Sequence, residues 1–460
     1  MSSPVYQSLN PYTEEIFQQY SVTSPIEIHG FLQTLSHSQQ QWSTVLLDEK
    51  QSLLGNLKTA LLEKKETLAE LISLEMGKPL NQSRAEIEKC TTLCEYYTTI
   101  QPSVFEEEHT IDDTKTIISY KPIGVILLIM PWNFPLWQVL RCAIPALLMG
   151  NTILLKHAPN VPRCSLFIEK LFTEVISKSS IDLPIFKSCF VSNETVAELI
   201  SSPIIQGVSL TGSTNAGKIV ASLCGKAVKK CVLELGGSDA YILLEDAELT
   251  RAIDACVTSR LLNTGQSCIS AKRFIVHKRL VSAFIEGMKS AFEKKTYGDP
   301  MKSFDLGTIA RKDLRDGLHS QVQRAITSGA ECILGGFIPV EKGFFYPPTI
   351  LTNVSPSTSS FDEELFGPVA QIIEVENDKH ALELANNSSF GLGGAIFSRD
   401  EEYAQNLALN YFHTGSIAIN DFLRSDARLP FGGIKESGFG REMGIQGLRE
   451  FSNCKTIRFA

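Results

Sequence analysis

One cysteine in this chain follows a glycine-bearing turn: Asn263-Thr264-Gly265-Gln266-Ser267-Cys268 comes after an amphipathic helical pattern and before the strand-like AKRFIV. A catalytic thiol needs a partly open, electropositive loop that favours thiolate, whereas packing thiols sit on apolar faces inside elements. Loop context alone leaves nucleophile and structural thiol both open for Cys268. In VLELGGSD, Glu234 closes an apolar strand just ahead of Gly236 and Gly237. A charge there is costly unless it is used, and desolvation would raise its pKa toward general-base work near neutral pH. A carboxylate paired structurally with a nearby lysine fits the same residues. In PWNFP, Asn133 interrupts the most apolar stretch of the chain between two prolines. Its amide can donate to a developing oxyanion and cannot titrate, although a turn-forming asparagine reads the same way.

Elements must hold these groups. Residues 50 to 100 carry Leu53, Leu57, Leu61 and Leu62 at helical spacing among many Glu and Lys, and show no obvious chemistry. HTIDDTKTIISYKPIGVI then alternates with the period of a strand, and its polar first half reads as an exposed ribbon suited to an oligomer contact. From Ile123 to Leu244, the runs IGVILLIM, TILLK, GVSLT and AYILL alternate with helix-length segments, the pattern of a parallel sheet flanked by helices. This half is expected to bind a nucleotide. A second alternation (RFIVH, PVAQIIEV, GGAIF, GSIAIN) continues to about residue 420 and implies a second α/β domain, with the chemistry between the two. No G-x-G-x-x-G follows the early strands, so a dinucleotide would dock differently. Thr211-Gly212-Ser213-Thr214 followed by the helical NAGKIVASL offers a helix N-terminus to a phosphate, or is an ordinary capped turn.

Composition narrows the partners. A chain of 460 residues, 43% hydrophobic and 20% charged, is globular and too long for one simple core. Its net charge of −8 gives no basic stripe for nucleic acid, which leaves small molecules as ligands. MSSPVYQSLNPYTEE lacks a basic start and an apolar core of signal-peptide length, so a cytoplasmic address is expected. The Ile123–Trp132 stretch is too short to span a bilayer and is expected to be a buried strand; no membrane partner is expected. The eleven cysteines are scattered, without C-x-x-C pairs or clustered histidines, which argues for reduced core thiols and against disulfide frameworks or metal sites. Cys90 and Cys94 share a helix face and read as packing.

Taken together, GQSC around Cys268, ELGGSD around Glu234, PWNFP around Asn133, TGST at 211–214, EELFGPV at 363–369 and PFGGIKESGFGRE at 430–442 resemble the aldehyde dehydrogenase superfamily. The motifs run in family order over most of the chain. KHAPNVP at 156–162, KKCVLELGGSD at 229–239 and SDARLPFGGIKESGFGRE at 425–442 look most like its short bacterial succinate-semialdehyde dehydrogenases. The resemblance implies an α/β fold of two domains with parallel sheets plus a β oligomerisation arm. Residues 1–107 and 124–235 would form the NAD(P)-binding domain, 236–436 the catalytic domain, and 108–123 with 437–460 the arm and C-terminal tail. The strand candidate TIRFA is expected to return to the ribbon or to a neighbouring subunit, in a homo-oligomer, dimer or tetramer.

The same resemblance implies the chemistry. Cys268 would attack a small aldehyde, the oxyanion being held by Asn133 and the Cys268 N–H, and Glu234 would activate the water that hydrolyses the resulting thioester to a free acid. Ile129, Trp132, Lys156, His157, Gly212, Ser213, Leu235, Gly236, Glu364 and Phe366 would bind NAD or NADP. Pro159 stands three residues after Lys156, where NAD-selective members carry a glutamate, so nothing there repels a 2′-phosphate. Trp137, Arg141, Ser267 and Ser425 would bind substrate, with Arg141, eight residues after Asn133, taking the distal carboxylate of a semialdehyde. The second such arginine of mammalian-type enzymes would fall six residues before Cys268, where this chain has Leu262. Ser425, Arg424 or Arg428 could supply the missing contact. Succinate semialdehyde is the substrate the resemblance implies, with another semialdehyde or an aliphatic aldehyde as the alternative; readings from other classes are cysteine-dependent acyl transfer or ester hydrolysis, and a non-catalytic relative of the fold.

Overall fold

A computed structural model describes residues 6–459. The first five residues, part of the start read as leaderless, and Ala460, the end of TIRFA, lie outside the described residues. Val125–Met130 (VILLIM) and Thr152–His157 (TILLKH) are buried almost throughout, which suits strands covered by helices on both faces of a sheet. They lie in a six-stranded sheet ordered Gly438–Phe439, Lys230–Glu234, Ile205–Thr211, Val125–Met130, Thr152–His157 and Phe186–Cys189. All its pairings are parallel except that of Gly438–Phe439, which runs antiparallel to Lys230–Glu234. The chain moves outward from Val125–Met130 to Phe186–Cys189 and then returns to the other side, so strand order reverses between Val125–Met130 and Ile205–Thr211. Open α/β sheets bind ligands at the carboxyl ends of such strands.

The second sheet is ordered Glu331–Leu334, Thr349–Thr352, Val369–Val375, Arg273–His277, Ala240–Leu243, Gly393–Phe397 and Ser416–Ile419. Only its first pairing is antiparallel. AYILL therefore belongs here, between Arg273–His277 and Gly393–Phe397; strand alternation alone grouped it with the nucleotide half, whereas the bounds implied by the resemblance put it in 236–436. Its apolar run carries no mark of which sheet receives it; only residues 235–239 separate it from strand Lys230–Glu234 of the first sheet. Among the described residues no helix is long and apolar enough to cross a membrane.

The 50–100 segment forms three helices, Leu47–Glu63, Lys65–Met76 and Leu80–Thr98, with Cys90 and Cys94 buried on the last. Helix Trp137–Met149 is buried at every residue. Its first N–H groups need partners, and the Glu86 carboxylate accepts from both Leu136 N (2.8 Å) and Trp137 N (3.0 Å). Lys78 neutralises Glu86 in a fully buried ion pair. The ribbon is the hairpin Glu106–Ile111 with Thr114–Pro122. Ser452–Arg458 returns to it antiparallel, Thr456 opposite Ile118, so the described part of TIRFA, residues 456–459, joins the ribbon of its own chain.

Candidate active site

Cys268 lies at the end of a distorted turn. Asn263 (φ 56°) and Thr264 (φ 55°) both take left-handed conformations, as does Gly265 (φ 72°). A Cβ on Gly265 would stand 2.3 Å from the Gly367 backbone, so the turn requires glycine there. The conformation is held on all sides. Gln266 donates to the carbonyls of Asn263 and Thr308 and accepts from Ala310 N. Arg260 donates to the Gly265 and Ala271 carbonyls, and Lys272 to those of Ser267 and Cys268. The backbone N–H of Cys268 has no partner among the described residues. Asn133 is tied to the same turn: its Nδ2 donates to the Gln266 carbonyl at 3.2 Å, and its own carbonyl accepts from Asn263 Nδ2 at 2.8 Å. One N–H of the Asn133 amide remains for another acceptor. The site thus offers two donors, side chain and backbone, next to one thiol. Burial pushes the Cys268 thiol up to about 12, against the pull of Arg141 and Lys272.

Cys268 faces a cavity of about 300 Å³ whose walls include Phe134, Trp137, Gln138, Ser267, Ile269, Leu262, Phe422, Phe431 and Ser425. The expected substrate residues Trp137, Arg141, Ser267 and Ser425 all line it. Arg141 is there in a different state from that expected. It is almost fully buried, with Nε 2.5 Å from Glu442 Oε2, Nη2 on Thr211 Oγ1 at 3.3 Å, and its guanidinium against the Phe431 ring. Its charge is already met by a carboxylate, which offsets the cost of burying a guanidinium. The late-loop arginines are likewise spoken for: Arg424 pairs with Asp421 and stacks on Phe422, and Arg428, off the cavity wall, pairs with Asp426.

Glu234 ends strand Lys230–Glu234, buried, with both carboxylate oxygens free of hydrogen-bond partners. Gly432 packs on it so closely that a Cβ there would be 2.8 Å from Glu234 Oε1. Burial first, and then the Glu442 carboxylate, push its pKa well above the ordinary range. The raised pKa makes the ionised form of Glu234 a stronger base than an ordinary carboxylate, suited to taking a proton from water. The alternative of a structural pair with lysine is not met: no Lys or Arg forms an ion pair with Glu234 among the described residues.

At the crevice of the first sheet, Ser213 caps helix Thr214–Lys226 by accepting from Ala216 N, and Gly212 N donates to the Glu234 carbonyl. Ile129 and Lys156 stand half-buried near the ends of their strands; Lys156 has no carboxylate partner among the described residues. Asn160, four residues on, has both amide atoms buried and unpartnered. Trp132 meets Phe366 edge to face at 5.8 Å between ring centres. Glu364 accepts from Gly237 N (3.1 Å), and a Cβ on Gly236 would come within 2.6 Å of its Oε2; Leu235 N donates to Ser437 O. A capped helix N-terminus, an unpaired ammonium, an orphaned amide and a glycine cradle fit a dinucleotide's phosphates and riboses. His157 does not join them. Its ring is fully buried between the Met130 and Pro135 carbonyls and accepts from Ala158 N, and burial pushes it down to about 4. The neutral ring braces PWNFP and has no free edge for a ligand.

Two groups of site residues escaped the sequence reading. Lys89 and Glu86, from the helical segment that showed no chemistry, line the Cys268 cavity, and Glu442 pairs with Arg141 beside Glu234. Glu442 had a signal, as the last residue of PFGGIKESGFGRE; a lysine in IEKCTTLCEYY has none until the helix is packed.

Residues 1–457 match the aldehyde dehydrogenase family. The chain is 43% identical to the Escherichia coli succinate semialdehyde dehydrogenase Sad, named for NAD(P)+, over 98% of this chain and 97% of that one. It is 39% identical to a probable NADP+ succinate-semialdehyde dehydrogenase of Synechocystis, over 98% and 99%. Among solved structures, Gox0499 superposes with a TM-score of 0.96 at 37% identity over 99% and 100% of the two chains. The succinic semialdehyde dehydrogenase of Streptococcus pyogenes, in complex with NADP+, does so with a TM-score of 0.95 at 32% identity over 98% and 99%.

Proposed function

The chain belongs to the aldehyde dehydrogenase family, and we propose that it oxidises succinate semialdehyde to succinate with NAD or NADP, through a thioester on Cys268. The observation that carries the reading is the trio itself: a thiol on a strained turn, an amide and a free backbone N–H beside it, and a desolvated carboxyl within the same electrostatic neighbourhood. Relatives named for this substrate support its identity, as does a cavity lined by both the thiol and cationic side chains.

Cys268 gives up its thiol proton to solvent, its Sγ bonds to the aldehyde carbon as the carbonyl π pair moves onto oxygen, and the resulting oxyanion is held by the Cys268 N–H and the Asn133 amide. The bound nicotinamide supplies the acceptor for the hydride, which leaves a thioester on Cys268. Glu234 then takes a proton from water as its oxygen attacks the thioester carbon; the carbon–sulfur bond breaks and the acid departs. Lys156 and Asn160 would meet the adenosine ribose or its phosphate, Ser213 the pyrophosphate, Glu364 the nicotinamide ribose, and Trp132 and Phe366 the nicotinamide side. We assign cofactor binding to 1–107 and 124–235, catalysis to 236–436, and self-association to 108–123 with the tail 437–460, which gives a homo-oligomer.

The test is a panel of succinate semialdehyde, glutarate semialdehyde, butanal and benzaldehyde with each cofactor, followed at 340 nm. Succinate semialdehyde is expected to have the highest kcat/KM. Glu234→Gln is expected to keep a burst of reduced cofactor while steady turnover falls about 10²- to 10⁴-fold; undiminished steady turnover would remove Glu234 from the mechanism.

A further inference from the structure

The cavity that Cys268 faces is lined by three cationic side chains: Lys89, Arg141 and Arg424. Two are bound within the protein, Arg141 to Glu442 and Arg424 to Asp421. Lys89 has no carboxylate within ion-pair distance among the described residues. Its Nζ lies 4.2 Å over the Trp137 ring and donates to Ser425 Oγ at 2.6 Å. Ser425 accepts that bond, which leaves its own O–H free to donate. Leu262 lines the same cavity and supplies no charge.

We propose that Lys89, with Ser425, binds the far carboxylate of the substrate, doing from helix Leu80–Thr98 what an arginine at position 262 would do, so that the pocket selects aldehydes with an anionic end. The proposal rests on the reading of semialdehyde oxidation and names the residue that makes it selective. An ammonium set against an aromatic face and a hydroxyl, without a counter-ion, is an incomplete ion pair that an arriving carboxylate completes. The charged groups around it do not complete it beforehand. Glu86 on the same helix is held by Lys78 and by the Leu136 and Trp137 amides; Arg141, on the facing helix, is of like sign and bound to Glu442; Asp426, from the late loop, is held by Arg428. Burial first, with Arg141 adding to it, lowers the ammonium to about 8.

The experiment measures kcat/KM for succinate semialdehyde and for butanal, equal in carbon number and uncharged, in the wild type, Lys89→Met and Lys89→Arg. The ratio of the two values is expected to fall about 10- to 100-fold in Lys89→Met, mainly through KM for the semialdehyde, and to recover largely in Lys89→Arg. In the wild type, KM for the semialdehyde is expected to rise above about pH 8 while KM for butanal does not follow. A ratio unmoved in Lys89→Met, in an enzyme that prefers the semialdehyde, overturns the role of Lys89 and leaves the reaction standing. A wild type indifferent between the two substrates overturns both. Should Lys89→Met not fold, the wild-type pH profile decides, since the absence of that rise overturns the proposal.

Discussion

Glu234 is the residue whose surroundings ask most of the fold. Its two oxygens are buried without partners beside a second carboxylate, Glu442, so ionising it in the native state is costly. The sign of the linkage follows. The unfolded carboxyl loses its proton near 4.5 while the folded one keeps it to higher pH, so the stability this difference contributes is full below about pH 4.5 and is lost as pH rises through the raised value. Glu234→Gln is therefore expected to match the wild type in thermal midpoint near pH 4 and to exceed it at pH 8. Midpoint curves that run parallel from pH 4 to 9 would refute the assigned desolvation. This carboxyl stood out in the sequence because an acid closing an apolar strand ahead of two glycines is a local anomaly, but for it, as for Cys268 and Asn133, local context left the role open until the family motifs were read together. Lys89 was not: its importance comes from Leu262, Trp137 and Ser425, which only the folded chain assembles, and from the neutralisation of every other cation in the cavity.

At the scale of elements, helix Trp137–Met149 ties substrate wall to base. It begins on the Glu86 carboxylate, carries Trp137 and Arg141 into the cavity, and through Arg141 grips Glu442 on the segment that follows strand Gly438–Phe439. Removing one partner of a buried pair leaves an uncompensated charge, here a carboxylate next to Glu234. Arg141→Met is thus expected to destabilise the protein by about 3–5 kcal/mol, and Arg141→Met combined with Glu442→Met to recover much of that loss. Denaturant midpoints of the two single variants and the double variant measure this, and additive losses would show that the pair is not coupled. The sequence disclosed the strands at this scale because β-branched runs declare themselves, whereas the sheet that receives each run does not follow from the run. Strand alternation alone grouped AYILL with the nucleotide half for that reason, although the bounds drawn from the family motifs did not, and Arg141 was read as a free hand because its partner lies 301 positions further along the chain.

On the scale of the whole molecule, the three-stranded sheet of Glu106–Ile111, Thr114–Pro122 and Ser452–Arg458 is covered by the described residues of its own chain only around its central strand. Its two outer strands are exposed along nearly all their length, and Ile111, Ile457 and Phe459 stand 49%, 41% and 45% exposed. So small a sheet with solvent on its faces and two open edges is poorly stabilised alone and a ready template for another chain. The sequence anticipated an exposed ribbon from its polar alternation and a returning C-terminal strand, both of which the fold contains. The return matters to the pocket, because Ser452–Arg458 continues directly from helix Gly444–Glu450, which packs on helix Trp137–Met149 and accepts a hydrogen bond from Tyr97 Oη at the Gly444 carbonyl. A partner that fixes the arm therefore also steadies the wall that bears Arg141. The intact chain is expected to sediment as a homo-oligomer at micromolar concentration, and Ile457→Lys with Phe459→Lys to shift it toward monomer and raise KM for the aldehyde. Sedimentation velocity on both proteins tests this; an intact chain that remains monomeric would mean that the arm serves some purpose other than self-association.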